Sequence, residues 1–280
     1  MLFTVDPEKC NCCGICVEAC GRKLIEMTSQ DVVPTPVAGA DELCNNCGHC
    51  VAVCPPGALS RQTMKPEDCP PIHKDLLISA EQAEQFLRSR RSIRNYKDRP
   101  VGRDTLSKLI EIAGYAPSAH NARPVHLLVI EDSTEVRRLA GLVIEWMRLV
   151  IKDSPSLAEA LHLDRVVGFS ESGKDPICRN APHLIIAHAP EIGGMPHEDC
   201  TLALAYLELA APTVGLGATW AGYIMAANVF HPPFAEALNL PEGHKAFGAM
   251  VVGYHKFKYL RLPLRNSPAV TWRNAQEGCN

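Results

Sequence analysis

The chain has 280 residues, a net charge of −3 and an apolar fraction of 46%. That length can bury a sizeable core in one large domain or two smaller ones, and the charge gives no general electrostatic reason to bind nucleic acid or an anionic membrane. The N-terminus, MLFTVDPEKCNCC, lacks the apolar core of a signal peptide, so the thirteen cysteines point to thiols in a reducing cytoplasm rather than secreted disulfides.

Taken in chain order, the first feature is a pair of matched cysteine runs. Cys10, Cys13, Cys16 and Cys20 repeat as Cys44, Cys47, Cys50 and Cys54, the last followed by Pro55. Thiolates at this spacing wrap a cubane iron–sulfur cluster from a tight loop, and the fourth of each run ligates the other cluster. The expected ligand sets are therefore Cys10, Cys13, Cys16 and Cys54 for one 4Fe–4S cluster, and Cys44, Cys47, Cys50 and Cys20 for the second. Zinc is the competing reading. Four-thiolate zinc sites split into two separated pairs, which duplicated runs of four do not match. Cys12 is off register. The apolar runs Leu2–Val5, Leu24–Ile25 and Ala58–Leu59 are too short for an ordinary core, so metal ligation must supply much of the folding free energy. Residues 32–40, with Pro34, Pro36 and Gly39, read as a loop between the halves.

Residues 64–78 carry three prolines and mixed charge and read as a boundary. Beyond it the periods become helical. Ser79 and Gln82 form a capping box ahead of a helix to about Ser89. Leu106, Leu109, Ile110 and Ala113 mark one face of a second helix, ending near Gly114. Strands are expected at Leu127–Ile130, Leu184–Ala187 and Phe247–Val252, and helices at Val136–Ile151 and Asp199–Val214. Three or four strands among longer helices define an α+β domain of about 200 residues. The uncharged stretch from Leu209 to Ala227 contains Pro212, Gly215, Gly217 and Gly222. It reads as a buried helix followed by a glycine-rich turn rather than as a membrane span.

No GxGxxG follows a strand and no Walker loop is present, which argues against a Rossmann dinucleotide unit. Four segments remain. Arg90-Arg91-Ser92-Ile93-Arg94 is either a phosphate clamp or a solvated basic helix end. Ala116 to Pro124, APSAHNARP, is a rigid polar loop that either faces a flat polar ring or only joins a helix to a strand. Gly215 to Tyr223, GLGATWAGY, either lets the backbone approach a ligand closely or caps a helix. Gly253-Tyr254 leads into Arg261-Leu262-Pro263-Leu264.

In this order the segments RRSIRNY, APSAHNARP, GLGATWAGY and GYHKFKYLRLP resemble the signatures of the FMN-dependent nitroreductase family, over about residues 79–275. The N-terminal part resembles a bacterial two-cluster ferredoxin, and the whole chain resembles ferredoxin–nitroreductase fusions. The resemblance implies a two-cluster ferredoxin-like domain over 1–65, a linker over 66–78, and an FMN-binding α+β domain over 79–280. In that domain a central sheet is flanked by helices and two copies form an intertwined homodimer. It assigns Arg90, Arg91 and Ser92 to the FMN phosphate and ribityl chain, and Arg94 to flavin N1 and the C2 carbonyl, where a cation favours reduction. It gives Pro117, Ser118, Ala119 and Asn121 to a loop laid on the partner's flavin. Trp220, Ala221, Gly222 and Tyr223 fall beside the ring, and Arg261 is a second phosphate ligand. Departures are Arg123 where glutamine is frequent, Val125 where tryptophan is frequent, Tyr259 where some members have lysine, and Gly21 where ferredoxins usually have proline.

The implied function is an iron–sulfur flavoprotein that passes electrons through two clusters to FMN and on to a small organic acceptor: a nitroaromatic, a quinone or an activated alkene. NAD(P)H or an external ferredoxin is the donor. Two rival readings are an NAD(P)H-driven flavin reductase that passes electrons to the clusters or to ferredoxin, and an electron relay or redox sensor without a small substrate. His120 and Arg123 are catalytic candidates, His120 as a proton donor or as a structural hydrogen-bonding group. Cys69, Cys178, Cys200 and Cys279 read as core or surface residues. His183, His188, His197 and His231 lack metal-ligand spacing.

Overall fold

A computed structural model describes residues 2–273; Cys279 lies outside them. The first part contains β1 (Phe3–Val5), α1 (Ile15–Ala19), β2 (Ile25–Glu26), β3 (Thr35–Pro36), α2 (Ala40–Leu43), α3 (His49–Ala52) and β4 (Leu59–Arg61). β1 pairs antiparallel with β4, and β2 with β3. The segment expected as a loop over 32–40 therefore holds an edge strand, where Pro36 opposite Ile25 removes no ladder bond the sheet needs. The cysteine duplication is also a structural one. Gly14 (φ 71°) precedes α1 and Gly48 (φ 77°) precedes α3. Their left-handed backbone favours glycine, and a Cβ on Gly48 would stand 2.7 Å from Met64 Sδ. A small core of Leu2, Phe3, Leu24, Ile25, Ala40, Val51 and Leu59 closes around Cys16 and Cys50. Residues 70–82 are all exposed and include a short 3₁₀ turn, Lys74–Leu76.

The capping box is formed as expected. Ser79 Oγ accepts from Gln82 N at 3.2 Å and Gln82 Oε1 from Ser79 N at 2.8 Å, opening α4 (Ala80–Ser89). The next elements are α5 (Arg103–Ala113), β5 (His126–Ile130) and α6 (Ser133–Asp153). Then come α7 (Pro155–Ala160), α8 (Leu163–Glu171), β6 (His183–Pro190) and α9 (Pro196–Ala210). β7 (Leu216–Trp220), α10 (Gly222–Phe230), α11 (Pro232–Ala237) and β8 (His244–Tyr254) complete the domain. The strands form one antiparallel sheet in the order β5-β6-β8-β7.

Both faces of this sheet are covered, so the middles of its central strands, residues 184–187 and 249–252, are apolar and the strand period divides their side chains. Leu184 and Ile186 of β6, with Ala249 and Val251 of β8, pack against α6, α8, α10 and α11. Ile185, Ala187 and Ala189, with Met250 and Val252, pack against α5 and α9. Among the described residues no helix is long and apolar enough to cross a membrane. The 209–227 stretch is the end of α9, a 3₁₀ turn, β7 and the start of α10. The glycine-rich turn expected there is thus half strand. A Cβ on Gly217 would meet Ile93 Cγ1 at 2.4 Å, so its close approach is to Ile93 rather than to a ligand. Ile93 N donates to Ala218 O at 3.0 Å, which ties the arginine segment to β7.

Candidate functional site

The eight thiols of the two runs gather around two cavities. Cys10, Cys13, Cys16 and Cys54 line one. Cys20, Cys44, Cys47 and Cys50 line the other, together with His49 and Arg61. The tight turns at Gly14 and Gly48 swing three thiols of each run inward, and the fourth, after the short helix, crosses to the other cavity. Cys12 lines neither. Leu24 N donates to Cys20 Sγ and Ala58 N to Cys54 Sγ, each at 3.3 Å. Arg61 Nη1 donates to Cys44 Sγ at 2.7 Å, and His49 Nδ1 lies 3.1 Å from Cys47 Sγ. Burial pushes the Cys16 thiol up to about 11, with a further rise from Cys54, and burial likewise raises Cys50. Among the described residues no group of three or more His, Cys, Asp or Glu side chains is arranged around a single metal ion. A cubane spreads its four thiolates over four irons, a wider arrangement than one ion's coordination sphere.

A third cavity, of about 350 Å³, opens between the arginine segment and the end of β8. It is lined by Ser89, Arg91, Glu208, Gly217, His255 and Lys258, among others. Its size is that of a small-molecule site. Arg91 faces it. Arg90 donates instead to the buried Glu208, Nη1 to Oε1 at 2.6 Å, while Trp220 Nε1 lies 3.3 Å from the other carboxylate oxygen. Ser92 is half-buried and Arg94 and Arg261 are exposed; none of the three lines this cavity. Besides Arg91, Lys258 and Glu208 line it, neither of them expected as a flavin contact from the sequence. Lys258 was legible as a cation close to the expected phosphate ligand Arg261, whereas Glu208 meets Arg90 across 118 positions and leaves no local signal.

The APSAHNARP loop lies apart from that cavity. Pro117, His120 and Arg123 are exposed, and Ser118, Ala119 and Asn121 are half-buried. Its backbone turns through three left-handed residues, His120 (φ 53°), Asn121 (φ 57°) and Arg123 (φ 48°). Ala119 N donates to the buried Asp199 Oδ1 at 2.9 Å, and Asn121 Nδ2 donates to Asn45 O at 3.0 Å and Asn46 O at 3.2 Å. Asp199 and Glu208 both lie on α9, nine positions and so roughly 13 Å apart along the helix. Within one chain, the two groups of expected flavin contacts therefore sit at opposite ends of α9. Trp220 is 39% exposed, Ala221 is buried, Gly222 is exposed and Tyr223 packs partly against the core.

Several of the remaining cysteines and histidines are buried or packed in the fold. Cys178 and Cys200 are fully buried, which pushes both thiols up, Cys200 to about 12. Cys69 packs against the N-terminal core. His183 accepts from Val101 N at 2.8 Å through Nε2, with Nδ1 3.0 Å from Glu131 O, and burial lowers its pKa. His188 is lowered by burial and by its neighbours His244 and His126.

The chain thus carries an antiparallel sheet covered by helices on both faces, with a cavity at the junction of a basic segment and the last strand. Residues 87–254 match the nitroreductase family model. The chain belongs to the nitroreductase family and is an oxidoreductase of that family. It is 31% identical over 201 residues to an NADH dehydrogenase of Thermus thermophilus, covering 66% of this chain and 92% of that one. Its fold matches a nitroreductase with bound FMN from Bacteroides fragilis (TM-score 0.58, 21% identity, 69% of this chain and 99% of that one). It also matches a nitroreductase with bound FMN from Desulfitobacterium hafniense (TM-score 0.55, 19% identity, 70% and 100%).

Proposed function

We propose that the chain is an iron–sulfur flavoprotein oxidoreductase of the cytoplasm. Residues 1–65 form a two-cluster ferredoxin domain, 66–78 a linker, and 79–280 an FMN-binding domain that works as a homodimer. The observation that carries this reading is the sorting of eight thiols into two cavities, each taking three cysteines from one run and the fourth from the other. When bound, the clusters would carry single electrons and the flavin would pair them for delivery to a nitroaromatic, a quinone or an activated alkene.

The protein's own groups account for the rest. Arg91 and Lys258 supply charge for a phosphate in the third cavity. Glu208 holds Arg90 and Trp220 in place beside it. Asp199 fixes the loop of Ser118, Ala119 and Asn121 by its backbone. In the proposed homodimer that loop, at the other end of α9 from the arginine cavity, serves the flavin of the second copy, so each site is completed by both chains. The exposed apolar side chains of the C-terminal arm, Leu260, Leu264 and Trp272, each more than 80% accessible, fit burial against that copy. His120 and Arg123, both exposed on the loop, are the groups available to an acceptor above the ring.

A second donor reading is supported by the name of the Thermus relative: NADH reduces the flavin, and the clusters exchange electrons with a separate carrier.

Anaerobically purified protein tests the cofactor assignment. The expected content is about eight irons and one FMN per chain, from two four-iron centres. Cys47→Ser is expected to lose about half the iron and keep the flavin. Unchanged iron in that variant contradicts the ligand assignment.

A further inference from the structure

We infer that Arg61 makes the two thiol sets unequal: it raises the reduction potential of a cluster held by Cys20, Cys44, Cys47 and Cys50 above that of one held by Cys10, Cys13, Cys16 and Cys54. This rests on the two-cluster reading above and adds a polarity to it.

The two halves repeat with an offset of 34 positions, as Cys10 and Cys44 fix it. Most of the surroundings repeat as well. Leu24 and Ala58 are counterparts at this offset, and each gives its N–H to a thiol at 3.3 Å. Two nitrogen-bearing side chains reach thiols of the second set without a counterpart in the first. His49, 3.1 Å from Cys47 Sγ, has Ile15 as its counterpart. Arg61, 2.7 Å from Cys44 Sγ, has Met27. Among the described residues, no guanidinium, ammonium or imidazole nitrogen is within hydrogen-bonding distance of a thiol of the first set. Arg61 is partly buried, and its Nε, fully enclosed, has no partner. A guanidinium held there is committed to the sulfur rather than to solvent.

Reduction adds one electron and one negative charge to a centre, with no proton or group transferred. A cation on a ligand sulfur, away from bulk water, favours the reduced state. Hydrogen bonds to ligand atoms tune a metal centre in the same sense. The favoured set is also the one joined to the flavin domain. Asn45 and Asn46, between Cys44 and Cys47, accept the Asn121 side-chain amide of the APSAHNARP loop. Arg61 therefore biases electrons toward the set beside that loop, and the first set is the side that accepts them from outside.

An EPR-monitored potentiometric titration of the anaerobic full-length protein tests this, with dithionite supplying electrons and ferricyanide removing them. Wild type is expected to give two separate midpoints. Arg61→Gln lowers the more positive one by about tenfold in the reduced-to-oxidised ratio at fixed potential, about 59 mV for one electron, and leaves the other in place. Arg61→Lys restores most of the difference. Cys47→Ser removes the more positive midpoint and Cys13→Ser the more negative one. Coincident wild-type midpoints, an unmoved pair in Arg61→Gln, or the opposite cysteine assignment overturns the inference while the two-cluster reading stands. If Arg61→Gln sheds its cluster, the wild-type and cysteine titrations still decide. Protein free of iron and sulfide overturns the two-cluster reading itself, and this inference with it.

Discussion

Arg90 and Arg91 are adjacent in sequence and differ in what they touch. Arg90 closes an ion pair on Glu208, whose side chain is only 9% exposed, and Arg91 lines the open cavity. The sequence pattern marks the run as a cationic segment but does not say which cation is committed, because the committing carboxylate arrives from α9. Their substitutions should therefore separate. Arg90→Ala strands a buried carboxylate and costs stability, about 1–3 kcal/mol for a charged group left unpaired, read as a lower denaturation midpoint. Arg91→Ala leaves that midpoint nearly unchanged. It removes a charge-assisted bond of about 1.5–3 kcal/mol and weakens FMN retention on dialysis by roughly tenfold or more. Equal flavin loss in both variants would place the phosphate on Arg90 after all. That the eight cysteines belong together was legible from their repeated spacing, and they line the same two cavities. Asp199 and Glu208 were not legible, because a carboxylate in an apolar helix carries no mark of its partner.

Elements with local signals matched their sequence reading. α4 has its capping box, α6 opens on Asp132, whose side chain accepts from Thr134 N at 2.8 Å, and β6 and β8 contain the apolar runs 184–187 and 247–252 expected as strands. Elements built by distant contacts were missed. α8 starts at His162 (φ 53°) with no side-chain cap, and the apolar run of α10 shows no clear amphipathic face. β7 contains Gly217 and reads as a turn, yet five residues pair with β8 because Ile93 fills the space a side chain would take. Gly217→Ala tests that packing. The added methyl collides with the Cβ and both γ carbons of Ile93. Its expected cost is about 1–3 kcal/mol, as for other overpacked cores, and trimming Ile93 to Ala in the same protein should recover part of it. A Gly217→Ala protein as stable as wild type would mean β7 shifts freely against the arginine segment.

At the scale of the molecule, a thiol-lined N-terminal part and a nitroreductase sheet meet through the Asn121 amide on the Asn45–Asn46 backbone. Composition and motif order made the two parts legible. Their contact was not, since it depends on two adjacent left-handed residues that orient one side chain. The central claim is that electrons reach the flavin through the cysteine-held centres. Stopped-flow mixing of anaerobic oxidised protein with a reduced low-potential ferredoxin measures this directly. The account expects fast flavin bleaching in wild type and its loss, by tenfold or more, in Cys47→Ser with its flavin still bound. Bleaching at the same rate in both proteins would contradict it.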